Sequence, residues 1–197
     1  MDLKADNKKA VRNVQLFLLF SEYNFNSKHI IVPINLWGYA MKKHNISDML
    51  IFIISAEIIG AVSALLSGGF SDFFEKYKEP PLLPPAWLFP VVWTILYAVM
   101  GYSAYLIYHS DADPAQKKTS LIIYWVQLAL NFMWSIIFFR FEALWLAFAE
   151  IIALWVMIIA MIVSFRKISP RAAYINIPYL LWVTFAAYLN LATALIN

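Results

Sequence analysis

The stretch LIIYWVQLALNFMWSIIFF (121–139), RFE (140–142) and ALWLAFAEIIALWVMIIAMIVSF (143–165) decides the fold. It holds two continuous apolar runs parted by a three-residue charged corner. A helix rising about 1.5 Å per residue needs roughly 20 such residues to cross about 30 Å of hydrocarbon. Strands of a membrane barrel would be about 9–11 residues long and would alternate apolar with polar, which neither run does. The corner is short enough to force a tight antiparallel helical hairpin. Working outward, the same reading gives spans at Met49–Leu66, Ala86–Tyr108 and Tyr174–Ile196. With Leu121–Phe139 and Ala143–Phe165 they make a bundle of five transmembrane helices, an all-α integral membrane protein. The whole chain agrees: 62% of its 197 residues are apolar, 14% are charged, and the mean hydropathy is +0.68. Soluble domains carry about 25% charged residues, so a soluble enzyme and a disordered chain are both excluded.

Lysine and arginine near span ends resist translocation and report orientation. Lys42, Lys43, Lys117, Lys118, Arg166, Lys167 and Arg171 fall on the N-terminal side, against Lys76, Lys78 and Arg140 on the other. The expected N-terminus is therefore cytoplasmic, with Gly68–Pro85 and the C-terminus together on the outer face. The net charge of +3 is dispersed over loops rather than gathered in a patch with exposed rings, which argues against nucleic acid. Residues 1–47 are read as a peripheral or flexible extension and 48–197 as the membrane domain. Val14–Phe20 is too short for a signal peptide and no small-residue cleavage pattern follows it. His29–Met41, with Trp37 and Tyr39, suits the headgroup level.

Polar groups inside hydrocarbon need partners, so they mark the inner faces of the bundle. Tyr124, Gln127, Asn131 and Trp134 recur at helical spacing on the third span, and Tyr179, Trp182, Ala186, Leu189 and Asn190 do so on the fifth. Pro90, Trp93, Tyr97 and Gly101 share a face of the second span, and Trp145, Phe148, Ile152 and Trp155 a face of the fourth. Each stripe alone is ordinary packing, but four together outline a cavity walled by rings and a few amides. Such a cavity suits a large, flat, mostly apolar ligand such as a porphyrin or a sterol. Glu57 and Glu150 are the acids well inside spans. Two readings stay open for them: a proton- or cation-coupled step, or a neutral carboxyl bonded to a tyrosine hydroxyl or a carbonyl. Ala56, Gly60 and Ala64 form a small-residue ridge that packs within the bundle or against a second copy. Cysteine is absent, and His29, His44 and His109 lie outside the spans, so neither a thiolate nor a histidine metal site is expected and a tetrapyrrole would bind through its ring. No catalytic constellation is apparent.

The ordered motifs Pro80-Pro81-Leu82-Leu83-Pro84-Pro85-Ala86-Trp87, with Phe89 and Trp93-Thr94-Ile95-Leu96-Tyr97, then Gln127-Leu128-Ala129-Leu130-Asn131-Phe132-Met133-Trp134, then Pro178-Tyr179-Leu180-Leu181-Trp182 with Phe185-Ala186 and Leu189-Asn190, resemble the TspO/MBR family of translocator and tryptophan-rich sensory proteins over about residues 49–197. The resemblance implies a five-helix bundle, often a homodimer, whose first loop folds over a pocket. It implies protoporphyrin IX or haem as a ligand rather than an obligatory cofactor. Roles in porphyrin regulation, transport or stress sensing follow from it, in a bacterial cell membrane, or in the mitochondrial outer membrane if the chain is eukaryotic. Carried over by motif position, the pocket residues are Phe89, Pro90, Trp93, Gln127, Asn131, Trp145, Trp182, Ala186 and Leu189, to which the stripes add Tyr97, Trp134 and Tyr179.

Departures from the family pattern qualify that expectation. Leu82-Leu83 stand where many members carry a loop tryptophan implicated in porphyrin contact. No base follows Tyr188, so the sterol-recognition pattern is incomplete; Arg171, Tyr174 and Leu180 match only its reversed form. The rival functions are light-dependent porphyrin degradation and proton-coupled transport of another apolar ligand.

Overall fold

The computed structural model describes residues 45–68, 73 and 76–197; the Val14–Phe20 run and the His29–Met41 segment lie outside them. The described chain is helical: α1 (Ile46–Ser67), α2 (Leu88–Tyr108), α3 (Pro114–Ser135) continued by a π-helical turn (Ile136–Arg140), α4 (Leu144–Arg166), a short α5 (Pro170–Tyr174) and α6 (Ile177–Ile196). With α3 running on through the π-turn and α5 joined to α6, five segments are long and apolar enough to cross a bilayer. Much of their surface faces outward, as with Ile51, Ile58 and Leu65 on α1. Apolar surface turned outward all round a bundle is stable only where the solvent is itself hydrocarbon.

Local chemistry sets the helix ends. The Asp113 carboxylate accepts hydrogen bonds from the amides of Ala115 and Gln116 at 3.0 and 3.1 Å, and Pro114 needs no donor at the first helical position. That cap starts α3 seven residues ahead of its apolar run. The Lys117 ammonium reaches the Ser110 carbonyl at 3.2 Å, placing a cation just past the end of α2. Tyr174–Ile196, read as one span, is interrupted at Ile175–Asn176. Pro178 in the first turn of α6 has no amide proton and its ring crowds the preceding turn. The Asn176 amide bridges the break by donating to the Ala172 carbonyl at 2.7 Å.

The 140–142 corner makes the expected hairpin. Phe141 and Ala143 donate their amides to the carbonyls of Ile136 and Ile137, and Glu142 turns the chain with φ of 54°. The helices close into a ring: α1 packs on α2 and α3, α3 on α4, and α4 on α6. The ring is completed between α6 and α2 by Trp93 and Tyr179, whose centroids are 6.3 Å apart. Two glycines let α1 and α2 approach. A Cβ at Gly101 would sit 2.6 Å from the Ile53 Cα and the Phe52 carbonyl oxygen, and one at Gly60 would overlap the Tyr97 ring. Of the ridge Ala56, Gly60 and Ala64, the first two are buried inside the bundle, Gly60 against Tyr97 of α2, while Ala64 is exposed.

The segment after α1 is strapped across the bundle end. The Lys76 ammonium and the Tyr77 hydroxyl (2.9 Å) both donate to one Glu142 carboxylate oxygen. The Lys78 amide donates to the Asn197 side chain at 2.8 Å, and the Tyr188 hydroxyl to the Pro81 carbonyl at 3.2 Å. The Lys76 ammonium hydrogen-bonded to Glu142 holds that carboxyl below the ordinary carboxylate range, with Tyr77 adding to the effect, and the same bond raises Lys76. Phe73 is buried against Phe138 and Phe139, anchoring the loop in the ring cluster of the π-turn.

Candidate functional site

A cavity of about 440 Å³ opens between α1, α2 and the C-terminal end of α3. Glu57, Gly60, Ala61, Ala64, Ser67 and Gly68 form one wall, and Ala86, Phe89, Pro90, Trp93, Thr94 and Tyr97 the second. Trp134, Ser135 and Phe139 form the third. The spacing on α1, at 57, 60, 61, 64 and 68, is a single helical stripe. Register sets the depth: Ser67, Ala86 and Phe139 lie at the loop end, while Glu57 and Tyr97 lie deepest. From Glu57 to Ser67 is about 15 Å along the helix.

A hydrogen-bonded chain supports the deep end. The Tyr97 hydroxyl donates to Asn131 Oδ1 at 2.6 Å, and Asn131 Nδ2 donates to the Tyr179 hydroxyl at 2.9 Å. Tyr179 in turn donates to Gln127 Oε1 at 2.8 Å. These links join α2, α3 and α6, and all four residues are buried. A second link orients the far wall: Trp134 Nε1 donates to Asn190 Oδ1 at 3.2 Å, and Asn190 Nδ2 to the Leu144 carbonyl at 3.0 Å. Side chains so satisfied cannot rotate freely, and the Tyr97 and Trp134 rings are presented to the cavity in fixed orientations.

Of the residues expected at a pocket, the structure brings Phe89, Pro90, Trp93, Tyr97 and Trp134 to the cavity wall. Gln127, Asn131 and Tyr179 stand behind Tyr97 in the network. Trp182 lies edge-on to Phe89 with centroids 5.8 Å apart, outside the lining. Ala186 and Leu189 are buried on α6, and Trp145 is 58% exposed on the surface of α4. Sequence reasoning passed over the small α1 residues Ala61 and Gly68, and did not join Glu57 to Gly60, Ala64 and Ser67. The signal was the stripe they share, hidden by the overlapping ridge Ala56, Gly60 and Ala64.

Glu150 lacks the expected tyrosine or carbonyl partner among the described residues. The hydroxyl of Tyr179 is already engaged as donor and acceptor by Gln127 and Asn131. The Trp182 indole N–H and the Tyr124 hydroxyl are likewise buried without a hydrogen bond there. Glu57 differs in facing the cavity directly.

Comparison with known proteins bears on this arrangement. The sequence profile of the TspO/MBR family matches residues 50–196. The chain is 32% identical to the tryptophan-rich protein TspO of Chlorobaculum tepidum, over 64% of this chain and 80% of that protein. It is 30% identical to protein CrtK of Rhodobacter capsulatus, over 75% and 91% respectively. Similarity to the translocator protein of Ovis aries is 35% identity over 60% of this chain and 70% of that one.

Proposed function

The chain belongs to the TspO/MBR family of integral, multi-pass membrane proteins, and from that premise we propose that it binds a tetrapyrrole, protoporphyrin IX or haem, in the cavity between α1, α2 and α3. The observation that carries the reading is the cavity itself: about 440 Å³, within the usual 300–1,000 Å³ of small-molecule sites, and walled by Phe89, Trp93, Tyr97, Trp134 and Phe139. Rings of this kind stack on a flat macrocycle and supply dispersion and burial without needing polar complementarity. Small residues on the α1 wall, Gly60, Ala61 and Ala64, keep bulky side chains off that side of the cavity. Among the described residues no histidine lines the cavity, and the ring faces of Trp93, Tyr97 and Trp134 are the groups that would hold the macrocycle. Binding serves porphyrin regulation, carriage or stress sensing, in a membrane oriented with the N-terminus on the cytoplasmic side, as the distribution of bases supports.

The test is titration of the purified protein in detergent with protoporphyrin IX, read by quenching of tryptophan fluorescence, followed by absorbance in light and in darkness. Saturable quenching with a static spectrum is the expected result. Light-dependent loss of porphyrin that requires the protein would instead support degradation, for which Trp93 and Trp134 are the electron-rich groups at hand. Quenching that never saturates overturns the tetrapyrrole reading.

A further inference from the structure

Among the described residues Glu57 is the single acidic or basic side chain in the cavity wall, at its deep end, and it makes no hydrogen bond or ion pair with any of them. Its neighbours in the lining are apolar or aromatic apart from hydroxyls, and Trp93 and Tyr97 face the same space. A carboxylate so placed is costly to ionise without a partner. A cation delivered by the ligand removes that cost, because Coulomb attraction is strong where water is excluded. Ring faces add their own attraction for a cation. A ligand carboxylate brought to the same place meets a like charge, or forces Glu57 to stay protonated.

Resting on the reading that this cavity takes a flat tetrapyrrole-like molecule, we propose that Glu57 makes the site selective for the charge at the ligand's leading edge. A ring whose inner edge carries protonated nitrogen is favoured over an uncharged one. A ring bearing carboxylates is accepted only with those groups turned back toward the loop-side mouth, about 15 Å away along α1. Glu57 thereby sets both ligand class and ligand orientation: cationic or neutral edge inward, anionic edge outward.

Three probes with one macrocycle test this in nonionic detergent at neutral pH: protoporphyrin IX, its neutral dimethyl ester, and its bis-amide carrying two tertiary amines. The intact protein is expected to bind the bis-amine tighter than the ester by about tenfold. In Glu57→Gln the ratio of bis-amine to ester affinity is expected to fall to near one, and Glu57→Asp to keep the preference. An intact protein that binds the bis-amine no more tightly than the ester overturns the inference without reference to any variant. So does a ratio in Glu57→Gln equal to that of the intact protein. In both cases the tetrapyrrole reading survives, whereas failure of all three probes to bind removes that reading and this inference with it.

Discussion

Replacing Asn131 with alanine cuts two hydrogen bonds at once. The Tyr97 hydroxyl loses its acceptor at 2.6 Å, and the Tyr179 hydroxyl loses a donor at 2.9 Å while keeping Gln127. Interhelical hydrogen bonds inside membrane proteins average about 0.6 kcal/mol and reach about 1.7, so two of them account for roughly 1–3 kcal/mol. The stranded Tyr97 hydroxyl pushes the cost toward the upper end, since it is a buried donor left without a partner. We therefore expect Asn131→Ala to destabilise the bundle by about 2 kcal/mol. The assay is reversible unfolding in mixed micelles with increasing SDS, followed by circular dichroism. A double-mutant cycle with Tyr97→Phe isolates the Tyr97 half, with an expected coupling of about 0.6–1.7 kcal/mol. A cost for Asn131→Ala below about 0.5 kcal/mol, or a coupling near zero, would refute the claim that this chain of side chains holds α2, α3 and α6 in register.

Other expectations test separate parts of the structure. Gly101→Ala sets a methyl 2.6 Å from backbone atoms of α1, which cannot yield as a side chain would, and should cost about 1–3 kcal/mol in the same unfolding assay. The strap from Lys76 and Tyr77 to Glu142 should be pH-dependent. The Glu142 carboxyl is held below its ordinary range, so the strap is complete at neutral pH and is lost as the pH falls through that lowered value. Hydrogen exchange over residues 76–85 should accelerate there, and Glu142→Gln should exchange fast at neutral pH with the acid step gone.

Long apolar runs declare themselves in a sequence, so the five spans and the 140–142 corner were legible. Their ends were less so. The Asp113-Pro114 cap lies in a polar stretch that apolar periodicity passes over, and the break before Pro178 is marked only by Asn176 within a segment that is otherwise apolar enough to read as one span. Much of the cavity was legible from the α2 stripe of Pro90, Trp93 and Tyr97, because a helix face is fixed by spacing alone. What spacing does not give is rotation of one helix against another. Gln127 and Asn131 share a stripe with Trp134, yet the amides are consumed behind Tyr97 while Trp134 reaches the cavity wall. On α1 two stripes overlap at Gly60 and Ala64, and only the three-dimensional packing on Tyr97 shows that Glu57 belongs to the cavity stripe.

Two tryptophans that look alike in sequence give the most direct test of the account. Trp93 lines the cavity, while Trp145 on α4 is exposed and outside the lining. Protoporphyrin IX titrations of Trp93→Ala and Trp145→Ala, alongside the intact protein, measure whether binding resides in this cavity. Loss of a buried ring contact worth about 1–3 kcal/mol predicts roughly a five- to 150-fold larger dissociation constant for Trp93→Ala and a much smaller change for Trp145→Ala. Equal affinities in the two variants, or the larger loss in Trp145→Ala, would contradict the account.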